Sequence, residues 1–375
     1  MTQVKRDLED IKQRHSAFIS GMETRRPLLC MNILGKEYAR SYVNTFKHIP
    51  KGREIKPDDI KVEEFLKDLE NFIDLTEKIG VDYFYPAVPY FYIPWTEAII
   101  GCPIFAGRDS FYAEPFIKSW SEFKVSVDIS ENNKWLKKVI DMTRAIVENF
   151  GDNYPVGSST HLRGPADMMA AALGQKEFPL ELYDNPDKIR KMGSVYTEAF
   201  IEIAKILNST ASEAKFSGYV TNLFGIWTKE VCQFFQDDAT ALLSPRLYRQ
   251  FILKYHSRID ESFPSTIFHI HPVSLYTLDD LVKLPNLKII EINREPEAIG
   301  PGTDGLIYSF KKIQQNGKAG IIVYSDVNFT PALIEKEVKM LCDNLPNKGF
   351  CIYINTSDTE DASRKIEAVG KVINI

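Results

Sequence analysis

The sequence predicts an α/β fold: a distorted TIM, or (β/α)8, barrel with an N-terminal helical extension. Three observations lead there. Between residues 231 and 293 the order strand, helix, strand, helix, strand recurs, and each strand is apolar until its C-terminal end, where Asp237-Asp238, His269-Ile270-His271 and Asn293 stand. Strands buried on both faces with chemistry at one end belong to a parallel sheet covered by helices. Strand-like runs at 83–88, 154–158, 216–221, 231–236, 266–271, 287–292, 320–324 and 350–354 make eight, the number a closed barrel needs. An open doubly wound sheet is the alternative, but no Gly-rich dinucleotide turn follows any strand.

Taken in order, residues 4–19 repeat apolar positions at helical spacing, and a short strand follows at 27–32. Residues 35–59 form a basic stretch punctuated by Pro and Gly, which reads as an exposed excursion. An amphipathic helix covers 62–79. The most aromatic segment comes next, with Tyr83, Phe84, Tyr85, Tyr90, Phe91, Tyr92 and Trp95 close together, and its prolines forbid a regular helix. Such rings either wall a pocket for a flat ligand or fill core. The segment IFAGRDSFYAEPFIKSW reads as a hairpin-like pair carrying Arg108, Asp109 and Glu114.

A helix at 133–149 leads to a polar loop, Ser158 to Arg163, and then a helix entered at Gly164-Pro165. Helices follow at 185–208 and, behind a Ser244 cap and Pro245, through about 262. Shorter helical pieces at 277–283 and 307–315, a helix at 331–344 and a closing helix from 359 complete the alternation. Without repeats or a separating linker, residues 1–375 read as a single domain with its helical extension at about 1–26.

Composition excludes several classes. A net charge of −5 with interspersed signs offers no basic face for nucleic acid or an anionic membrane. The charged, amphipathic N-terminus is no signal peptide, and no apolar run is long enough to span a bilayer. Five scattered cysteines without CxxC spacing suit a cytoplasmic setting. The expected ligand is a small molecule, with oligomerisation left open.

On a barrel, the strand ends gather the chemistry at one rim. His269 and His271, two apart on a strand, face the same way and can reach one ion, with a carboxylate from Asp237, Asp238, Glu291 or Asp326 as third ligand. Of these, Glu291 is assigned with His269 and His271 to the metal, for which zinc suits neutral imidazoles. Asp237, His271 and Arg163 are assigned to catalysis. His161, Asp238, Tyr90, Tyr92, Asn293 and Asp326 are assigned to substrate binding. The competing reading of HxH is one core histidine beside one surface histidine, and that of the acidic pair is a cap on the following turn.

Three segments carry a resemblance. QDDATALLSPRLYRQFILKYHSRI, GPADMMAAALG and FHIHPVSLYTLDDLVKLPNLKIIEIN are similar to blocks of the uroporphyrinogen decarboxylase superfamily, which holds tetrapyrrole decarboxylases and cobalamin-dependent, thiol-forming methyltransferases. The resemblance implies a distorted barrel with a deep cleft at the strand ends. The decarboxylases' Phe-Ser-Asp-Ile-Leu segment corresponds to VPYFYIP, without its Asp, and their Phe-Asp-Ser-Trp segment to Phe224-Gly225-Ile226-Trp227. The methyltransferases' zinc motif His-x-Cys reads His269-Ile270-His271, and Cys351 falls too early for their second cysteine. The chain is therefore identified as a divergent member nearer the methyltransferase branch. The resemblance implies corrinoid-linked methyl transfer involving a small molecule, with the corrinoid carried by a partner protein. Decarboxylation of a tetrapyrrole or other carboxylated substrate, and a non-catalytic metabolite-binding barrel, are the alternatives.

Overall fold

The computed structural model describes residues 7–34, 43–90, 92–107, 110–296 and 300–374. Arg108, Asp109 and Phe91 lie outside the described residues, as does part of the basic stretch after Gly35. Six strands form one parallel sheet: β1 (Leu28–Ile33), β2 (Cys232–Gln236), β3 (Ser265–Ile270), β4 (Leu287–Arg294), β5 (Ala319–Tyr324) and β6 (Phe350–Thr356). Their order is β1-β6-β5-β4-β3-β2. All residues of β2, β5 and β6 are buried, as the unbroken apolar runs require for strands covered on both faces.

Two expected strands, 83–88 and 154–158, make only isolated contacts. Asp82 N–H donates to Leu29 O, Ala87 bridges Val156, Gly157 bridges Val220 and Arg163 bridges Gln236, the three bridges all parallel. Pro86, Pro89 and Pro155 explain the interruption, since each removes a ladder donor. The expected strand at 216–221 shortens to Tyr219–Val220, which pairs antiparallel with Trp227–Thr228 around the bend at Gly225. A Cβ on Gly225 would stand 2.2 Å from Phe84 O, so the close approach there requires glycine. The hairpin forms as expected, Ile104–Ala106 against Phe111–Ala113.

The helices follow their sequence signals. Lys134–Phe150 is capped by the Asn133 side chain, Pro331–Asn344 by Thr330 and Thr359–Ile373 by Asp358. Pro186–Ala211 and Pro165–Leu173 start on their prolines. The helix expected from Ser244 to about 262 is broken by a π-helical turn, Tyr248–Ile252, before continuing as Leu253–Asp260. That turn sets Tyr248 Oη 3.1 Å from His256 Nδ1.

The first helix, Leu8–Ile19, closes the end of the molecule where β1 begins. Its His15 is buried, donating from Nε2 to Asp82 O and accepting at Nδ1 from Trp227 N–H, each at 2.7 Å. Asp82 is buried too, bonded to Leu29 N–H and paired with Arg14 and Arg26. Burial would raise its pKa, but the two guanidinium groups outweigh it and hold the carboxyl below the usual range.

Candidate functional site

Strand register assembles the site. Gln236, His269 and Glu291 are Cα partners across β2, β3 and β4, and Arg163 bridges Gln236 from the other side. Two residues onward, where side chains return to the same face, come Asp238, His271 and Asn293. Asn32 and Asn355 are partners across β1 and β6. All of these line one cavity of about 360 Å³ at the C-terminal ends of the strands.

The two imidazoles have fixed orientations. His269 Nδ1 bonds Glu291 Oε2, and His271 Nδ1 lies 2.5 Å from Glu295 Oε1. With each Nδ1 held by a carboxylate, each Nε2 is turned to the same point: Asp238 Oδ1 is 3.9 Å from His269 Nε2 and 3.8 Å from His271 Nε2. The ligand atoms of Asp238, His269 and His271 all lie within 4.8 Å of one another. Zinc bonds of about 2.0–2.2 Å put tetrahedral ligand atoms roughly 3.4 Å apart, so a small inward movement would close the set on an ion. A histidine held through its second nitrogen by a carboxylate is the usual support of a metal ligand. The donors, two imidazoles and a carboxylate, fit zinc or another N/O-seeking divalent ion and contain no thiolate. Burial alone would lower the His269 pKa, but Glu291 outweighs it and lifts the value to about 9. A proton or a cation is thus favoured at this point.

Glu291, expected as a ligand, instead stands behind His269, and Asp238, expected at the substrate, takes the third corner. Cys351 sits within β6 and is fully buried, its Sγ 3.7 Å from Cys30 Sγ.

Asp237, expected in catalysis, turns into the core. It is 2% exposed, accepts from Asp167 N–H at 2.9 Å and lies 2.7 Å from His256 Nε2. Its carboxyl meets the N-terminus of the Pro165–Leu173 helix, a favourable place for an acid. Asp167 reciprocates, accepting from Ala239 N–H at 2.7 Å. A Cβ on Gly164 would lie 2.7 Å from Cγ and both oxygens of Asp237. The Gly-Pro pair is therefore a packing device: Gly164 admits the carboxyl and Pro165 starts the helix. Burial pushes the pKa of Asp237 up and that of His256 down to about 3, so burial favours the uncharged form of each.

Arg163 lines the cleft while its Nη1 lies 3.0 Å from Glu97, a buried carboxylate that sequence reasoning missed. Arg163, Asp238 and Ser110 also line a second cavity of about 560 Å³. Asp167 faces that chamber with a buried Oδ2 that has no partner among the described residues, its pKa raised by burial and by Asp238 and Asp237. His161 lines the first cavity and lies 2.7 Å from Gln236 Oε1. Burial, then Arg163, lower its pKa to about 3.

The remaining assignments divide. Asn293 and Tyr92 line the cleft. Tyr90 is buried among Phe46, Phe111 and Tyr92 and belongs to the core, because the Pro-rich segment turns most of its rings inward. Asp326 accepts from the backbone and side chain of Asn328 and serves its own turn. One strained residue completes the wall: Leu223 has φ 62°, and its carbonyl accepts from Tyr83 Oη at 3.2 Å and Tyr353 Oη at 3.1 Å. A left-handed leucine is uncommon and belongs to places where surroundings override local preference.

Glu295 could have been found, since it continues the alternation of Glu291 and Asn293 one residue past the end of β4. Glu97 and His256 carry no local signal; only the fold brings them here.

No family model matches the chain, and no curated protein does. Among solved structures it is similar to a B12-independent methionine synthase from Shewanella sp. W3-18-1, determined in complex with selenomethionine. The TM-score is 0.52 and the identity 12%, over 93% of this chain and 96% of that one, a likeness of fold. No helix among the described residues is long and apolar enough to cross a membrane.

Proposed function

We propose that this chain is a metal-dependent enzyme of methyl transfer involving a small molecule, built on a distorted (β/α)8 barrel of the kind its sequence resembles. The barrel reading rests on the single parallel bridges that continue the six-stranded sheet through residues 87, 156–157, 163 and 220. One observation carries the chemistry: His269 Nε2 and His271 Nε2 turned toward Asp238 Oδ1, with both Nδ1 atoms held by carboxylates. The likeness of fold to an enzyme described as a methionine synthase supports the reaction class.

The three side chains would hold zinc, which when bound supplies Lewis-acid polarisation of a substrate heteroatom. Glu291 and Glu295 keep the imidazoles in the tautomer that leaves Nε2 available. Arg163, anchored by Glu97, presents a fixed positive charge where the two cavities meet and can orient an anionic group of a substrate. Two adjoining chambers suit two reactants, a donor and an acceptor, brought together at Asp238.

The neighbouring fold is that of an enzyme described as B12-independent, so direct transfer between small molecules is the form carried forward. The corrinoid-linked form and its partner protein are tested beside it.

Metal content after purification and zinc titration should give about one equivalent for the native chain, strongly reduced in Asp238→Asn and His271→Ala. Zinc binding unaffected by both substitutions would end the metal reading. Methyl donors screened against thiol and amine acceptors, with and without added cob(I)alamin, then separate the two forms.

A further inference from the structure

Buried polar atoms without partners mark what a cleft lacks. Glu291 Oε1, Asn32 Oδ1, Asn355 Oδ1 and His161 Nδ1 are all buried and have no hydrogen-bond partner among the described residues. The four residues line the same cavity of about 360 Å³. Leaving one such group unsatisfied costs about 1–3 kcal/mol, and native proteins keep few of them without a reason. Four around one cavity is a built arrangement.

Each can only accept. Asn355 Nδ2 donates to Ser325 O at 3.1 Å, which fixes its Oδ1 as the unpaired atom. Gln236 Nε2 donates to Asp238 Oδ2 at 2.7 Å, so Gln236 Oε1 must receive the Nε2–H of His161. That tautomer leaves His161 Nδ1 a bare lone pair. Glu291 spends Oε2 on His269 and has Oε1 left.

The nearby cations do not meet this demand. Arg163 gives its Nη1 to Glu97, and His269 answers only the other oxygen of Glu291. What is missing is a partner rich in N–H donors and positively charged. A hydroxyl brings one donor, whereas a primary ammonium brings three together with a charge to set against Glu291.

We propose that this cleft is the binding site for the protonated amino or amidinium group of a small-molecule substrate, held by Glu291, Asn32, Asn355 and His161. The site shares its cavity with the proposed metal ligands, so a ligand anchored here extends past Asp238. The inference does not depend on zinc being bound.

The test compares propylamine, acetamidine and 1-propanol at pH 8 by saturation-transfer NMR and thermal shift, on zinc-loaded and on chelator-treated protein. Propylamine or acetamidine should bind at least tenfold more tightly than 1-propanol in both forms. Asn32→Leu should weaken cation binding at least tenfold, and Asn32→Asp, which adds a charge, should strengthen it. The Asp variant keeps the test decisive where the Leu variant fails to fold. Equal binding of cation and alcohol, no cation binding at all, or an Asn32→Asp variant no tighter than native, overturns the proposal. Zinc binding that still depends on Asp238 and His271 would then leave the metal reading standing, and cation binding that survives loss of zinc binding would separate them the other way.

Discussion

Substituting Gly164 by alanine tests whether Asp237 is a structural group. The added Cβ would lie 2.7 Å from three atoms of the Asp237 carboxyl, where ordinary contact begins at 3.4 Å. The carboxyl must withdraw by roughly 0.7 Å, and it cannot then keep both the 2.9 Å bond from Asp167 N–H and the 2.7 Å contact with His256. Each buried partner left unsatisfied costs about 1–3 kcal/mol, so Gly164→Ala should destabilise the fold by about 2–4 kcal/mol. Urea unfolding followed by circular dichroism measures this. A double-mutant cycle sharpens it: Asp237→Ala alone should cost a similar amount, but Gly164→Ala in that background should cost little, because the obstructing carboxyl is gone. The reasoning fails if Gly164→Ala is neutral, or if the two costs simply add.

Other outcomes follow from the same geometry. Glu291→Gln and Glu295→Gln should each weaken zinc binding about 10- to 100-fold, and Asp238→Asn should weaken it more, measured by competition with a chromophoric chelator. If Glu291→Gln proves the most damaging of the three, Glu291 rather than Asp238 is the ligand. Asp82→Ala strands Arg26 and leaves Arg14 only its pairing with Asp10, and should cost about 3–5 kcal/mol in chemical unfolding, while Arg14→Ala, which leaves Arg26 in place, should cost less. Burial lowers the pKa of His161 in the fold to about 3 from its ordinary 6.5, so it stays neutral in the fold and charges on unfolding. Its contribution is full above pH 6.5 and is lost as pH falls from there toward 3, and His161→Gln should flatten that part of a plot of melting temperature against pH.

How much was legible in the sequence depended on range. Ser244-Pro245 and Gly164-Pro165 marked helix starts, because capping is a matter of adjacent residues. Periodicity marked Val62–Ile79 and Pro331–Asn344 to the residue. The strands broken by Pro86, Pro89 and Pro155 were harder: their apolar character survives, but the hydrogen bonds that define a ladder do not. His269 and His271 were readable as a pair through their spacing. The choice between Asp237 and Asp238 was not, since adjacent residues leave a strand end in opposite directions and only the chain beyond decides which faces the cleft. Glu291, expected as a ligand beside the two histidines, bonds the Nδ1 of His269, and which imidazole nitrogen faces it lies in ring rotation and has no sequence signature.

The left-handed backbone at Leu223 has a consequence for how this protein could change. A leucine there carries a conformational penalty of about 1–3 kcal/mol that asparagine or glycine would largely avoid. The same side chain lines the cleft, so shortening it enlarges the cavity. Leu223 also packs against the core, so relief of backbone strain and loss of apolar contact oppose each other there, and position 223 sets the width of the cleft at the expense of one or the other.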